Sequence, residues 1–266
     1  MVRVRGAARE RSDRLATEEP MEIRAGGPGE ELRPLAVTMR TPGHDFELAA
    51  GFLLTEGVVA DPADIRAVAY CELPDEEQRY NAVTVRLARP LGPDAAGRSF
   101  FTTSSCGICG RASLDAVEVR CRPVGPGPVV SRATLLALPD ALRAGQRLFE
   151  ATGGLHAAGL FDAEGRLLAL REDVGRHNAL DKLVGRAALA GELPLAGRVV
   201  LVSGRLSFEL VQKAAVAGIP VVAAVSAPSS LAVEAAERFG ITAVGFLRGD
   251  GFNVYSGAER IALGAG

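Results

Sequence analysis

Short apolar runs alternate with amphipathic segments in the last third of the chain. The runs at 198–202, 219–225 and 241–246 predict three strands, and the segments at 207–217 and 229–239 predict two helices between them. Strands that are apolar throughout are typical of a parallel sheet covered on both faces. The pattern therefore predicts a βαβαβ unit, in which ligands usually bind at the carboxyl ends of the strands.

The first half of the chain mixes the two periodicities. Alternating apolar and polar residues predict strands at 31–39 and 81–88. An apolar face predicts a helix at 45–55, which Gly57 follows as a stop signal, and a second helix is predicted at 178–189.

The middle of the chain adds a helix and a hairpin. The helix at 131–151 is predicted to begin at the N-cap Ser131 and to break or kink at Pro139. The apolar runs 155–161 and 167–171 flank the turn sequence Asp-Ala-Glu-Gly and predict two antiparallel strands.

Composition divides the chain into three parts. Residues 1–25 are polar and without periodicity, so we expect a flexible tail. The sequence Pro-Val-Gly-Pro-Gly-Pro at 123–128 predicts a linker. We therefore predict an α/β protein (α+β overall), with a smaller N-terminal α+β region at 26–125 and a C-terminal α/β domain at 126–266.

The charge and the apolar runs exclude two classes of partner. A net charge of -2 over 266 residues argues against nucleic-acid binding, which needs a basic surface. No apolar run approaches the ~20 residues of a membrane span, and the N-terminus lacks the apolar stretch of a secretory signal. We therefore expect a cytoplasmic protein, in which a close cysteine pair indicates metal binding or catalysis rather than a structural disulfide.

The pair Cys106 and Cys109 lies in a sequence rich in Ser, Thr and Gly, and three chemistries are open to it. A structural zinc site needs four ligands, so Cys71 and Cys121 or a histidine would have to join the pair. A C-x-x-C motif also supports disulfide exchange. In sulfur transfer, a mobile thiolate carries the sulfur as a persulfide. The spacing does not distinguish the last two, and Cys71 and Cys121 are predicted to be inert.

The loops after the predicted parallel strands carry Ser, Gly and Arg. Such loops present backbone N–H groups to an anion, and Arg205 could hold two phosphate oxygens. The same residues are also common as caps and turns, which is the alternative interpretation. No G-x-G-x-x-G or Walker A sequence follows a strand, so the common nucleotide-binding motifs are absent from the sequence.

Several other polar residues admit two roles. Arg176 and His177 could contact a phosphate or a cofactor; alternatively, His177 caps a helix whose Asp181 and Lys182 face solvent. His156 and His44 are open between binding and local hydrogen bonding. Glu209 and Lys213, four residues apart on a predicted helix, are expected to form a surface pair.

Five sequence blocks together resemble one family. Ser105-Cys-Gly-Ile-Cys-Gly110 resembles the hallmark of the formate dehydrogenase accessory sulfurtransferase family, FdhD/NarQ. Further blocks agree in the same order, so that the resemblance covers about residues 30–262. They are Arg40-Thr-Pro-Gly-His-Asp45 with Ala50-Gly-Phe-Leu-Leu-Thr-Glu-Gly57, Phe149-Glu-Ala-Thr-Gly-Gly-Leu-His156, Glu172-Asp-Val-Gly-Arg-His-Asn-Ala-Leu-Asp-Lys182 and Ser203-Gly-Arg-Leu-Ser-Phe-Glu209.

The resemblance implies a specific function. Sulfur would pass from a cysteine desulfurase to Cys106 as a persulfide, with Cys109 as its partner, and then to the molybdenum or tungsten bis(molybdopterin guanine dinucleotide) cofactor of formate dehydrogenase. It also implies a homodimer without its own metal, and a three-layer C-terminal domain similar to the cytidine deaminase fold. The cofactor would be contacted through its guanine nucleotide by Phe246, Leu247, Arg248, Gly249, Asp250 and Gly251.

Two other functions are alternatives to sulfur transfer. A molybdenum-cofactor-binding chaperone would bind the same cofactor without needing Cys106. A deaminase would need a His-x-Glu zinc motif, but Ala158 and Ala179 stand two residues after His156 and His177. The chaperone therefore remains the alternative.

Overall fold

The structure is a computed structural model that describes residues 2–5, 7–10, 12–71, 80–92, 100–101 and 121–263. The pair Cys106 and Cys109 lies outside the described residues, so the predictions that concern it stay predictions. No helix within the described ranges is long and apolar enough to span a membrane.

A five-stranded mixed sheet forms the N-terminal part of the fold, in the order β5-β6-β3-β4-β7. Helix α1 (Asp45–Thr55) packs on one face of this sheet, and their apolar side chains form a continuous core. The predicted bounds of α1 are confirmed. The strands are β3 (Glu19–Gly26), β4 (Arg33–Arg40), β5 (Ile65–Tyr70), β6 (Ala82–Leu87) and β7 (Phe100–Phe101).

The prediction of a flexible tail at 1–25 is wrong over much of that range, because β3 begins at Glu19 and two strands pair nearer the N-terminus. Met21 and Ile23 in β3 are fully buried in the core beside α1, whereas Glu22 and Arg24 point away from it. Apolar and polar residues alternate at 21–25, which is the period of a half-buried strand, but this run is short and lies among polar residues, so the sequence interpretation missed it. Nearer the N-terminus, β1 (Val2–Arg5) and β2 (Ala7–Glu10) pair as a separate antiparallel hairpin.

A six-stranded sheet in the order β10-β9-β11-β12-β13-β14 forms the C-terminal part. Its central strands β11, β12 and β13 are parallel, which confirms the predicted βαβαβ unit. Strand β9 is antiparallel to β11, β14 is antiparallel to β13, and β10 pairs antiparallel with β9, which confirms the predicted hairpin. The strands are β9 (His156–Phe161), β10 (Leu167–Asp173), β11 (Val199–Val202), β12 (Val221–Ala224), β13 (Thr242–Arg248) and β14 (Gly251–Ser256). Upstream, β8 (Val130–Ser131) pairs with β15 (Ile261–Ala262).

Helices cover both faces of this sheet, which confirms the expected three-layer domain. The buried residues of three helices pack on one face, and those of α2 pack on the other. The helices are α2 (Arg132–Gly145), α3 (Arg147–Thr152), α4 (Arg176–Leu189), α5 (Phe208–Val216) and α6 (Ser230–Arg238), of which α4, α5 and α6 share the first face.

The predicted helix at 131–151 is two helices, and the break is not at the proline. Ser131 caps α2 as expected, since its hydroxyl accepts a hydrogen bond from the Thr134 N–H at 3.0 Å. Pro139 lies within α2, between Leu135 and Leu142, and both of these leucines are buried against the sheet. We infer that this packing offsets the lost backbone hydrogen bond, and the chain breaks instead at Gln146.

Helices α1 and α4 cross at very short distance and thereby join the two sheets. A Cβ atom added to Gly51 would overlap the carbonyl oxygen of Asp181, and one added to Gly185 would overlap that of Glu47. Both glycines are needed for this approach, because any side chain would force the two helix backbones apart.

Replacing Gly51 by alanine tests this contact. We expect Gly51→Ala to lower the free energy of unfolding by about 3 kcal/mol or more, because the new methyl group would overlap the backbone of α4 unless the two packed helices separate. Urea unfolding measures the change. Gly197→Ala is the matched control, since a Cβ there meets nothing within 4 Å. Equal stability of the two variants would contradict the close crossing.

Candidate functional site

The carboxyl ends of β11, β12 and β13 meet at one side of the sheet, and the loops that follow them are hydrogen-bonded to one another. The Ser226 N–H donates to the Gly204 carbonyl at 3.3 Å, and the Phe246 N–H donates to the Ser226 carbonyl at 3.1 Å. These loops form one continuous surface with the N-termini of α4 and α5. We call it the carboxyl edge; it comprises residues 203–209, 225–229 and 246–251, the first turn of α4, and His156.

The first turn of α4 places His177 against the start of α5. The Asp173 carboxylate accepts a hydrogen bond from the Gly175 N–H at 2.8 Å and so holds the turn that leads into α4. His177 Nε2 lies 3.3 Å from Ser207 Oγ and 3.7 Å from a carboxylate oxygen of Glu209. The helix start is therefore joined to α5 by side-chain contacts, beyond the local capping considered from the sequence.

Arg176 and His156 lie beside Gly204 at the same edge. A Cβ atom added to Gly204 would lie 3.3 Å from His156 Nδ1 and 4.0 Å from Arg176 Cδ. The Arg176 Nε is buried, and no described residue accepts a hydrogen bond from it. An unpaired buried donor is costly, and a guanidinium suits phosphate or carboxylate oxygens. This orphan N–H therefore fits an anionic ligand.

The protonation states at the edge follow from burial and neighbouring charges. Burial, with Lys213 and Arg176 nearby, lowers the pKa of His177 to about 4. Burial and then Arg176 also lower the pKa of His156. Burial opposes the charge of Glu209, but hydrogen bonds from its own backbone N–H and from the Ser207 hydroxyl keep its pKa below the usual value. At neutral pH the edge therefore presents neutral imidazoles beside an ionised carboxylate.

The hairpin turn between β13 and β14 contributes the 246–251 segment. Phe246 has φ 53, a conformation uncommon for a bulky residue, and the Arg248 guanidinium lies 5.7 Å from the centroid of its ring. Arg132, from the start of α2, donates a hydrogen bond to the Asp250 carbonyl at 3.0 Å. The Leu247 side chain is fully buried in the core beneath the sheet. Any contact of Leu247 with a ligand would therefore be made by its backbone.

The structure brings most of the sequence-predicted residues together. Arg176, His177 and the 246–251 segment all lie at the carboxyl edge, and Arg205 is exposed in the loop after β11. Cys106 and Cys109 lie outside the described residues. His44 is at the N-terminus of α1, where its Nδ1 lies 3.4 Å from a Glu47 oxygen.

Two interpretations of charged residues as solvent-exposed are wrong. Asp181, Lys182 and Lys213 are all buried. Lys182 pairs with Asp173 at 2.7 Å, and Lys213 pairs with Asp181 at 2.9 Å rather than with Glu209. Glu209 and Lys213 have the spacing of an ordinary surface pair on one helix, so periodicity does not reveal that Lys213 is buried. One signal was available, because Lys182 and Lys213 are the only lysines in the sequence.

Comparison with known proteins gives consistent matches along the whole chain. The sequence profile of the FdhD/NarQ family matches residues 16–262. The "Sulfur carrier protein FdhD" of Streptomyces coelicolor is 57% identical, over 100% of this chain and 95% of the relative. The protein of the same name from Mycobacterium tuberculosis is 54% identical, over 94% of this chain and 92% of the relative.

A solved structure matches the fold over nearly the same length. It is the crystal structure of a protein assigned as a formate dehydrogenase accessory protein from Desulfotalea psychrophila. The TM-score is 0.75 and the identity 27%, over 98% of this chain and 97% of that chain.

The depressed pKa of His177 predicts a loss of stability in acid. Its pKa is about 4 in the folded protein and 6.5 in an unfolded chain, so on acidification the unfolded chain binds the proton first. The stabilisation is complete above pH 6.5 and is lost as the pH falls, by on the order of 2 kcal/mol near pH 4.5. Urea unfolding above pH 6.5 and near pH 4.5 should show that His177→Gln loses less stability on acidification than the wild type does. Equal losses in the two proteins would contradict this account of His177.

Proposed function

The chain belongs to the FdhD/NarQ family, and from this premise we propose that it is a sulfur carrier for formate dehydrogenase. It accepts sulfur from a cysteine desulfurase and delivers it to the molybdenum or tungsten bis(molybdopterin guanine dinucleotide) cofactor of that enzyme, acting in the cytoplasm as a homodimer. The observation that carries the proposal is the identity of 57%, over the whole chain, to a relative named a sulfur carrier protein.

The proposed carrier step exchanges one sulfur–sulfur bond for another. The Cys106 thiolate attacks the terminal sulfur of the persulfide on the desulfurase, a new S–S bond forms on Cys106, and the S–S bond of the donor breaks. The desulfurase cysteine leaves as a thiolate, so the exchange involves no net oxidation or reduction. Cys109 is the second thiol close enough in sequence to assist or resolve the persulfide.

The carboxyl edge is the proposed binding site for the cofactor, which is the cargo of this reaction. Arg176 offers a phosphate oxygen a buried N–H from which no described residue accepts a hydrogen bond. Arg205 and Arg248 are exposed on the adjoining loops, and Phe246 places an aromatic ring there that suits the flat guanine base. When bound, the cofactor supplies the metal that accepts the sulfur. The residues of this chain bind and orient its nucleotide part.

Sulfur loading of the chain tests the carrier role. After incubation with a cysteine desulfurase and cysteine, intact-mass spectrometry should show a gain of about 32 Da that a thiol reductant removes. Cys106→Ala should abolish the gain, because the attacking thiolate is absent. Cys71→Ala is the control, because Cys71 at the end of β5 is predicted to be inert, and it should load normally.

The same experiment separates the carrier from the chaperone. If the wild-type chain gains no sulfur from a desulfurase shown to be active, the carrier function fails. A chaperone that binds the cofactor without sulfur chemistry of its own would then be the better account.

Affinity for guanosine diphosphate tests the carboxyl edge. Arg176→Met should weaken binding by about tenfold, because it removes a charged hydrogen-bond donor to phosphate. Isothermal titration calorimetry measures the affinity. Arg198→Met is the matched control, since Arg198 precedes β11 at the opposite side of the sheet, and it should bind as the wild type does. Equal affinities in all three proteins would remove Arg176 from the site.

A further inference from the structure

Lys213 makes a buried three-way connection between helices. Its ammonium group donates to Thr55 Oγ1 at 2.9 Å, to Glu56 Oε1 at 2.8 Å and to Asp181 Oδ2 at 2.9 Å. Thr55 and Glu56 lie at the end of α1, and Asp181 lies on α4. An ammonium has three N–H donors, so the group is fully satisfied by residues of two other helices.

Two side-chain contacts join α4 and α5, and Lys213 makes the one that lies farther from the carboxyl edge. His177 and Asp181 are four residues apart on α4, and Glu209 and Lys213 are four residues apart on α5. Each pair therefore projects from one helix face. The buried contact is Asp181 to Lys213 at 2.9 Å, and the contact at the carboxyl edge is His177 to Glu209 at 3.7 Å. One turn of helix thus links the buried pair to the edge.

The charge of Lys213 also reaches the edge directly. The charged groups around His177 are Lys213, Arg176, Glu209 and Glu56. After burial, Lys213 is the largest influence that lowers the pKa of His177, whereas Glu209 and Glu56 raise it. The ammonium itself stays charged: burial opposes its charge, but Asp181 and Glu56 raise its pKa above the usual value. Removing the ammonium should therefore raise the pKa of His177.

We propose that Lys213 is a positioning residue for the carboxyl edge: by tying α5 to α4 and α1, it holds His177 and Ser207 in place for the bound nucleotide. The inference rests on the proposed function, because it concerns the site for the same cofactor. Lys213 is itself buried, so it acts on the ligand only through these neighbours.

The test compares Lys213→Met with Arg40→Met, and guanosine diphosphate is the probe. Arg40 is likewise buried and ion-paired, to Asp45 at 2.9 Å, but its partners lie in the N-terminal part of the fold. Lys213→Met should bind the probe about tenfold more weakly, because the groups that meet the phosphates shift. Arg40→Met should bind within about twofold of the wild type, even where it is equally destabilised.

The pH profile adds a readout that lost stability alone would not move. In the wild type, the His177 ring stays neutral down to a pH of about 4, so it adds no change in probe affinity between about pH 5 and pH 7. In Lys213→Met, the NMR signals of the His177 imidazole should titrate at a higher pH than they do in the wild type. Probe binding should then strengthen on acidification in that range, because a protonated ring attracts phosphate.

The outcomes distinguish failure of the positioning role from failure of the proposed cofactor site. An unchanged affinity and an unchanged His177 titration in Lys213→Met would overturn the positioning role while leaving the cofactor site intact. No binding of the probe by the wild type would overturn the proposed cofactor site and this inference with it. If Lys213→Met does not fold, the double variant Lys213→Met with Asp181→Leu removes both members of the buried ion pair, while the carboxylate of Glu56 is partly exposed to solvent. This double variant should show the same loss of affinity.

Discussion

The close crossing of α1 and α4 is the contact on which the rest of the arrangement depends. Gly51 and Gly185 let the two helix backbones touch, so the N-terminal sheet is held directly against the helices of the C-terminal sheet. Polar groups complete the junction at both ends of α1. Lys213 donates a hydrogen bond to Thr55 at the C-terminus of α1, and Lys182 donates one to the carbonyl of Thr41, which precedes the N-terminus of α1. Each of these buried charges is paired, as a stable interior requires.

This junction has a consequence for the carboxyl edge. The helix that crosses α1 is also the helix whose first turn carries Arg176 and His177. The position of the edge is therefore coupled to the N-terminal part of the fold.

Much of this fold could be predicted from the sequence, where the signals were local. The bounds of α1 and the order of strands and helices in the βαβαβ unit followed from periodicity and stop signals. Strand β3 was missed although apolar and polar residues alternate at 21–25, because this run is short and lies among polar residues. The buried role of Lys213 was also missed, because its partners Thr55 and Asp181 are distant in sequence while Glu209 stands at the ordinary helical spacing. Tertiary contacts, and not local pattern, decide such positions.

The most direct test of the central claim follows the sulfur to its destination. The chain would be loaded with radioactive sulfur, separated from the desulfurase, and mixed with inactive formate dehydrogenase prepared without a sulfur carrier. Our account predicts that label moves to the cofactor of the enzyme and that activity appears with it. It would be contradicted if activity appeared equally with Cys106→Ala, or if the label stayed on the carrier while the enzyme became active.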